Sequence, residues 1–272
     1  MRPLSAMQTK PAITAPPRDR AAELRIVNAD PRYPPARLIE PTTCGYVYLA
    51  ARVGSGSTPF VLPDARRERV LSRLKTLVRR LEQEQTVRRA TVFRAIVRPP
   101  MARFSAYLRA RGPAAPVADF DVIVLIETDS LASARDLRQS AGCEALIDAL
   151  TVADAVHSVL ARTGKRIGDV DTRHGGLFLF NHFVAADADV LLQLWDYLAG
   201  WYVAETGLDK SVVLVPAEGE SSPYQIVNWA RWNQRPVLHF WHQLSKRSFW
   251  SYVAANLDAN HAASMPIYCR LA

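Results

Sequence analysis

The sequence predicts an α+β protein built from two tandem βαββαβ units, and three observations carry that prediction. Runs rich in β-branched and aromatic residues alternate with helical periodicity in the order β-α-β-β-α-β over residues 44–172, and the same order returns over residues 173–272. Residues 1–43 stand apart, holding eight of the eighteen prolines without sustained periodicity, and are read as a Pro-rich N-terminal arm or strap with no catalytic role. With 49% hydrophobic residues in 272, the chain has enough apolar side chain to bury a core.

In the first unit, residues 45–53 read as a strand, and Asp64 is placed to cap a helix in which Val70, Leu71, Leu74, Leu77, Val78 and Leu81 share one side. Residues 89–97 and 120–127 read as strands, 133–150 as one helix and 155–167 as the closing strand. In the second, residues 176–184 read as a strand and 188–205 as a helix stopped by Gly207. Residues 211–215 and 224–232 follow as strands, 235–256 as a helix and 266–271 as a last strand. Each unit is a ferredoxin-like arrangement with helices on one face of an antiparallel sheet. The bare apolar faces would be covered by packing the two units together as an internal pseudo-dimer. The repeat lies in the order of elements rather than in shared wording.

A net charge of +8 raises the question of nucleic acid, but its excess lies in stretches such as Arg66-Arg67-Glu68-Arg69, where interspersed acids mark solvated helix faces. No nucleic-acid partner is expected. Cys44, Cys143 and Cys269 are scattered without ligand spacing, so neither a disulfide framework nor a metal site is expected. No signal-like segment or long apolar run occurs, which leads to the expectation of a cytoplasmic protein without membrane contact.

All six tryptophans fall between Trp195 and Trp250, although the two units share their order of elements, and this asymmetry places any ligand site in the second unit. Asn181 and Asn228 interrupt apolar strands, where an amide costs free energy unless it finds a partner. Strand alternation puts Asn228 and Trp232 on one face and Trp229 and Arg231 on the other. If Asn181 faces the same way, two amides and an indole N–H surround an aromatic-walled pocket suited to a planar ligand and an oxyanion formed on it.

The segments GLFLFNHF, LLQLWDYLAGWYVAETG and YQIVNWARWNQRPVLHFW resemble the antibiotic biosynthesis monooxygenase family of the dimeric αβ barrel superfamily, over about residues 174–272. The resemblance maps a first-strand Asn onto Asn181 and an Asn-x-x-x-Trp onto Asn228 and Trp232. It implies catalytic roles for these three, with Trp195, Tyr197 and Trp241 walling the substrate. It further implies a small aromatic substrate of phenol or anthrone type, molecular oxygen as co-substrate and no cofactor. Tyr197 and Arg231 are candidates for a tyrosine and an arginine that some members use, although alternation turns Arg231 away from Asn228. In the first unit Ala50 stands near the position equivalent to Asn181, so that half is expected to be structural.

Two other readings stay open. Barrels of this type also serve as stress-response or aromatic-metabolite-binding proteins, and haem-degrading relatives would match Asn181 and Trp241 but would place their axial ligand near Ser251. His239 and His242 lie three apart without a third ligand nearby, and His182 is a general base only if the ligand lies on its face of the strand. Association of two tandem chains into a homodimer is left open.

Overall fold

The structure, a computed structural model, describes residues 23–54, 59–232 and 245–272. Eight antiparallel strands close into one barrel in the order β1-β3-β2-β8-β5-β7-β6-β4. In chain order they are β1 (Gly45–Arg52), β2 (Val87–Val97), β3 (Val122–Thr128), β4 (Ala155–Gly168), β5 (Leu177–Ala185), β6 (Ser211–Pro216), β7 (Ile226–Trp232) and β8 (Ala262–Leu271). The first four strands run side by side as β4-β1-β3-β2 and the last four as β8-β5-β7-β6. The two sets meet edge to edge, where Phe93 pairs with Leu271 and Ala161 with Pro216, so no sheet edge is left open.

Both faces of most strands are buried, which explains their nearly continuous apolar composition. One face fills the lumen with Tyr48, Phe93, Phe178, Phe180, Trp229 and Met265. The other receives the helices. Over the first half these are α1 (Ala65–Leu81), α3 (Leu131–Arg138) and α4 (Ala141–Ala149), following a short α2 (Ala106–Arg111) in chain numbering. Asp64 accepts from Arg67 N at the start of α1, and Val70, Leu71, Leu74, Val78 and Leu81 form its buried stripe.

Over the second half lie α5 (Ala188–Thr206), a π-helical turn at Phe249–Ala254 and α6 (Ala255–Ala259). The π-helical turn falls in the C-terminal part of the helix expected over 235–256, α6 carries it three residues past the expected end, and residues 235–244 lie outside the described residues. No helix of the described residues is long and apolar enough to cross a membrane.

Two elements differ from expectation, and α2, opened by the Ser105 side chain accepting from Leu108 N, lies where no element was expected. The single helix expected over 133–150 is two, because Ser140 turns its side chain to cap Cys143 N and opens a new helix after α3. The last strand begins at Ala262, ahead of the expected 266. Pro266 sits opposite Asn181 of β5, while the β2 ladder reaches only as far as Tyr268, so the missing N–H interrupts no bond to β2.

Residues 23–43 form a strap across the second half. Asn256 and Asn260, four apart, bind its backbone as a ladder would: Val27 N donates to Asn256 Oδ1 at 2.8 Å and Arg25 N to Asn260 Oδ1 at 2.9 Å. Their amide nitrogens return bonds to Val27 O at 3.0 Å and Arg25 O at 2.7 Å. Tyr33 is buried against Trp201 and Tyr252 and donates to Glu205 Oε1 at 2.6 Å. Gly200 lets the strap lie directly on α5, since a Cβ there would overlap the Pro34 carbonyl oxygen.

Candidate functional site

β5 and β7 are neighbours in a register that sets Asn181 directly opposite Asn228. Alternation does the rest: Leu179, Asn181 and Phe183 of β5 face α5 together with Asn228, Ala230 and Trp232 of β7, while Phe178, Phe180, Val227 and Trp229 face the lumen. Asn181, Asn228 and Trp232 thus line one cavity between the sheet and α5, as alternation predicts. Trp195, Tyr202 and Leu208 supply part of the opposite wall. The helix-facing pair in the first half, Leu49 opposite Val124, is apolar and buried in packing against α1, α3 and α4. Ala50, the position compared with Asn181 from sequence, faces the lumen instead.

The end of α5 shapes this cavity. Gly207 adopts φ 67, and the turn returns Gly207 N to Val203 O and Leu208 N to Tyr202 O. That turn holds Thr206 beneath Trp232, whose Nε1 donates to Thr206 Oγ1 at 3.1 Å while Thr206 donates to Tyr202 O at 2.6 Å. Ser211, at the start of β6, donates to Asn228 Oδ1 at 2.6 Å. Asn181 differs: it is 4% exposed, and its Oδ1 is buried without a hydrogen-bond partner among the described residues. The cavity measures about 20 Å³, room for one water-sized molecule.

Other expected residues lie elsewhere. Trp195 reaches the cavity, but Tyr197 sits on another side of α5, half-buried, and Tyr202 takes the place expected of it, because the 100° step of a helix separates Tyr197 from Trp195, Leu198 and Tyr202. Trp241, His239 and His242 lie outside the described residues. Arg231 points into the lumen, its guanidinium over Phe178 at 5.9 Å and its Nη2 donating to Gly175 O at 2.8 Å.

His182 also faces the lumen, fully buried, with Nε2 2.8 Å from the Tyr48 hydroxyl. It is therefore no base for the Asn-lined cavity. Burial holds its pKa down to about 3 and that of the nearby His157 to about 4, so both imidazoles are neutral. Ser251, where a haem ligand would fall, is exposed, and its carbonyl accepts from Asn28 Nδ2. Among the described residues no three His, Cys, Asp or Glu side chains gather as a metal site.

No protein-family model matches this chain, and no curated protein matches it. Solved structures do. An anthrone oxidase-like protein superposes with a TM-score of 0.56 at 9% identity, over 87% of this chain and 94% of that one. A protein from Lactobacillus acidophilus NCFM named as a candidate monooxygenase gives 0.45 at 7% identity, over 85% and 93%. A candidate chlorite dismutase gives 0.46 at 11% identity, over 85% and 95%. At such identities the likeness is one of fold, and the first of the three carries it: a closed α+β barrel.

Proposed function

We propose that this protein is a cofactor-independent monooxygenase-like enzyme that oxidises a phenol- or anthrone-type aromatic with molecular oxygen in the cavity between β5, β7 and α5. In the same reading the two halves are ferredoxin-like units forming an internal pseudo-dimer of which the second holds the oxygenase site. The observation that carries the proposal is Asn181 Oδ1. A buried carbonyl oxygen without a partner costs about 1–3 kcal/mol, and this one faces a cavity shared with a second amide and an indole. A substrate hydroxyl would supply the missing donor.

The chemistry needs little from the protein beyond binding and orientation. The ring, deprotonated to its enolate, passes an electron to oxygen, and the radical pair joins as a hydroperoxide. Loss of water then leaves a carbonyl: one oxygen atom stays on the ring, and the other departs as water with the two hydrogens of the oxidised carbon. Asn181 holds the hydroxyl, Asn228 and Trp232 favour the anionic ring, and the apolar wall excludes bulk water. The cavity as it stands suits oxygen or water, so a ring enters only as Trp195 and Tyr202 move aside.

A second reading, a barrel that binds an aromatic metabolite without turning it over, is favoured by the bonds that already engage Asn228 and Trp232. Oxygen uptake by metal-stripped protein given an anthrone separates the two. Uptake supports the oxygenase, whereas saturable binding without uptake overturns it in favour of the binding protein.

A further inference from the structure

The lumen side of the same strands opens at one end of the barrel into a second cavity of about 430 Å³, within the range of small-molecule sites. Its floor is buried and partly aromatic, formed by Cys44, Tyr46, Val212 and Trp229, each at most 4% exposed. Its rim carries four arginines, Arg88, Arg89, Arg166 and Arg173. Arg88 Nε donates to Asp129 at 2.6 Å, and Arg166 pairs with Asp169. Asp171, however, is shared by Arg89 at 3.6 Å and Arg173 at 2.9 Å, so neither of these two guanidiniums has a carboxylate to itself.

Two groups in this cavity make no hydrogen bond or close ion pair among the described residues. Trp229 Nε1–H is buried and donates to nothing among the described residues. The Glu127 carboxyl, half-buried on β3, forms neither an ion pair nor a hydrogen bond there. Burial raises its pKa although Arg88 and Arg89 pull the other way, as fits a carboxyl with no bonded partner to offset desolvation. An indole N–H and a carboxylate are complementary in kind: the first needs an acceptor, the second a donor, and a single hydroxyl group provides both.

We propose that this cavity is a second binding site, for a one-ring aromatic carboxylate bearing a hydroxyl group. The hydroxyl oxygen accepts from Trp229 Nε1–H and its proton is donated to Glu127, the ring lies along Tyr46 and Trp229, and the carboxylate meets Arg89 and Arg173, the two guanidiniums that share Asp171 at the rim. The site does not depend on the oxygenase reading. Asn228 and Trp229 are neighbours on β7 but face opposite sides of the barrel wall.

The test is a titration of the full chain with 4-hydroxybenzoate, following the indole N–H resonances by NMR and assigning that of Trp229 from its loss in Trp229→Phe. The expected result is a saturable shift of the Trp229 resonance, with affinity about tenfold or more weaker for benzoate, for phenol and in Glu127→Gln. Asn181→Leu leaves it unchanged, which separates this site from the other. No shift of that resonance at millimolar 4-hydroxybenzoate, or equal affinity for benzoate and 4-hydroxybenzoate in the unaltered protein, overturns the proposal.

Discussion

Asn181 and Asn228 stand directly opposite each other across the β5–β7 ladder and face the same helix, yet among the described residues only Asn228 has its amide oxygen engaged. One accepts from Ser211, and the other faces the cavity without a partner among the described residues.

Replacing Ser211 by Ala removes the donor to Asn228 Oδ1 and leaves a second buried oxygen unpaired. The folded state is expected to lose about 1–3 kcal/mol. Urea denaturation measures this, and a midpoint equal to that of the unaltered protein would show that the bond contributes nothing.

Trp232→Phe keeps an aromatic ring but deletes the indole's second ring with the N–H that reaches Thr206 Oγ1. Stability is expected to fall by about 1 kcal/mol. Turnover is expected to fall about 10–1000-fold, as for loss of one oxyanion donor, and Asn228→Ala should act alike. Steady-state oxygen consumption reports the second effect, and full activity in both variants would remove them from the mechanism.

The lumen histidines make stability depend on pH. In the unfolded chain each imidazole takes a proton below its ordinary 6.5, whereas in the fold His182 resists to about 3 and His157 to about 4. The unfolded state then binds more protons, so stability is complete above pH 6.5 and declines as pH falls below it, by up to about 1.4 kcal/mol per pH unit for each histidine. Glu127, raised above its ordinary 4.5, acts in the opposite sense just above that value. Urea midpoints measured between about pH 7 and about pH 5 should fall with pH. His157→Gln should flatten the slope, and a flat profile in the unaltered protein contradicts neutral burial.

Gly200→Ala would ordinarily strengthen a helix by about 1 kcal/mol. Here the added methyl meets the Pro34 carbonyl oxygen and pushes the strap off α5. The expected outcome is new proteolytic cleavage within residues 23–43 and a lower melting temperature. A higher one with unchanged cleavage would show that the strap adapts.

Much of this was legible in the sequence because side-chain period is a local property. Asp64 and Gly207 mark helix ends through backbone chemistry that needs no tertiary partner, and alternation alone turned Asn228 and Trp232 one way and Arg231 the other. What lay outside local reading was the identity of partners. Nothing near Asn228 or Trp232 in the chain points to Ser211 or Thr206, which arrive through the turn after α5. Tyr197 and Tyr202 carry the same chemistry on one helix, and only its rotation against the sheet selects Tyr202. Ser140 read as helix interior because the apolar pattern on either side continues through it, although its hydroxyl starts a new helix.

If the Asn181 oxygen, without a partner among the described residues, is kept for a substrate, oxygen uptake with an anthrone differs between the unaltered protein and Asn181→Leu. Leucine fills a similar volume without a polar atom, so the account predicts a urea midpoint unchanged or higher together with uptake lowered about 10–1000-fold. Equal uptake by the two proteins would contradict it.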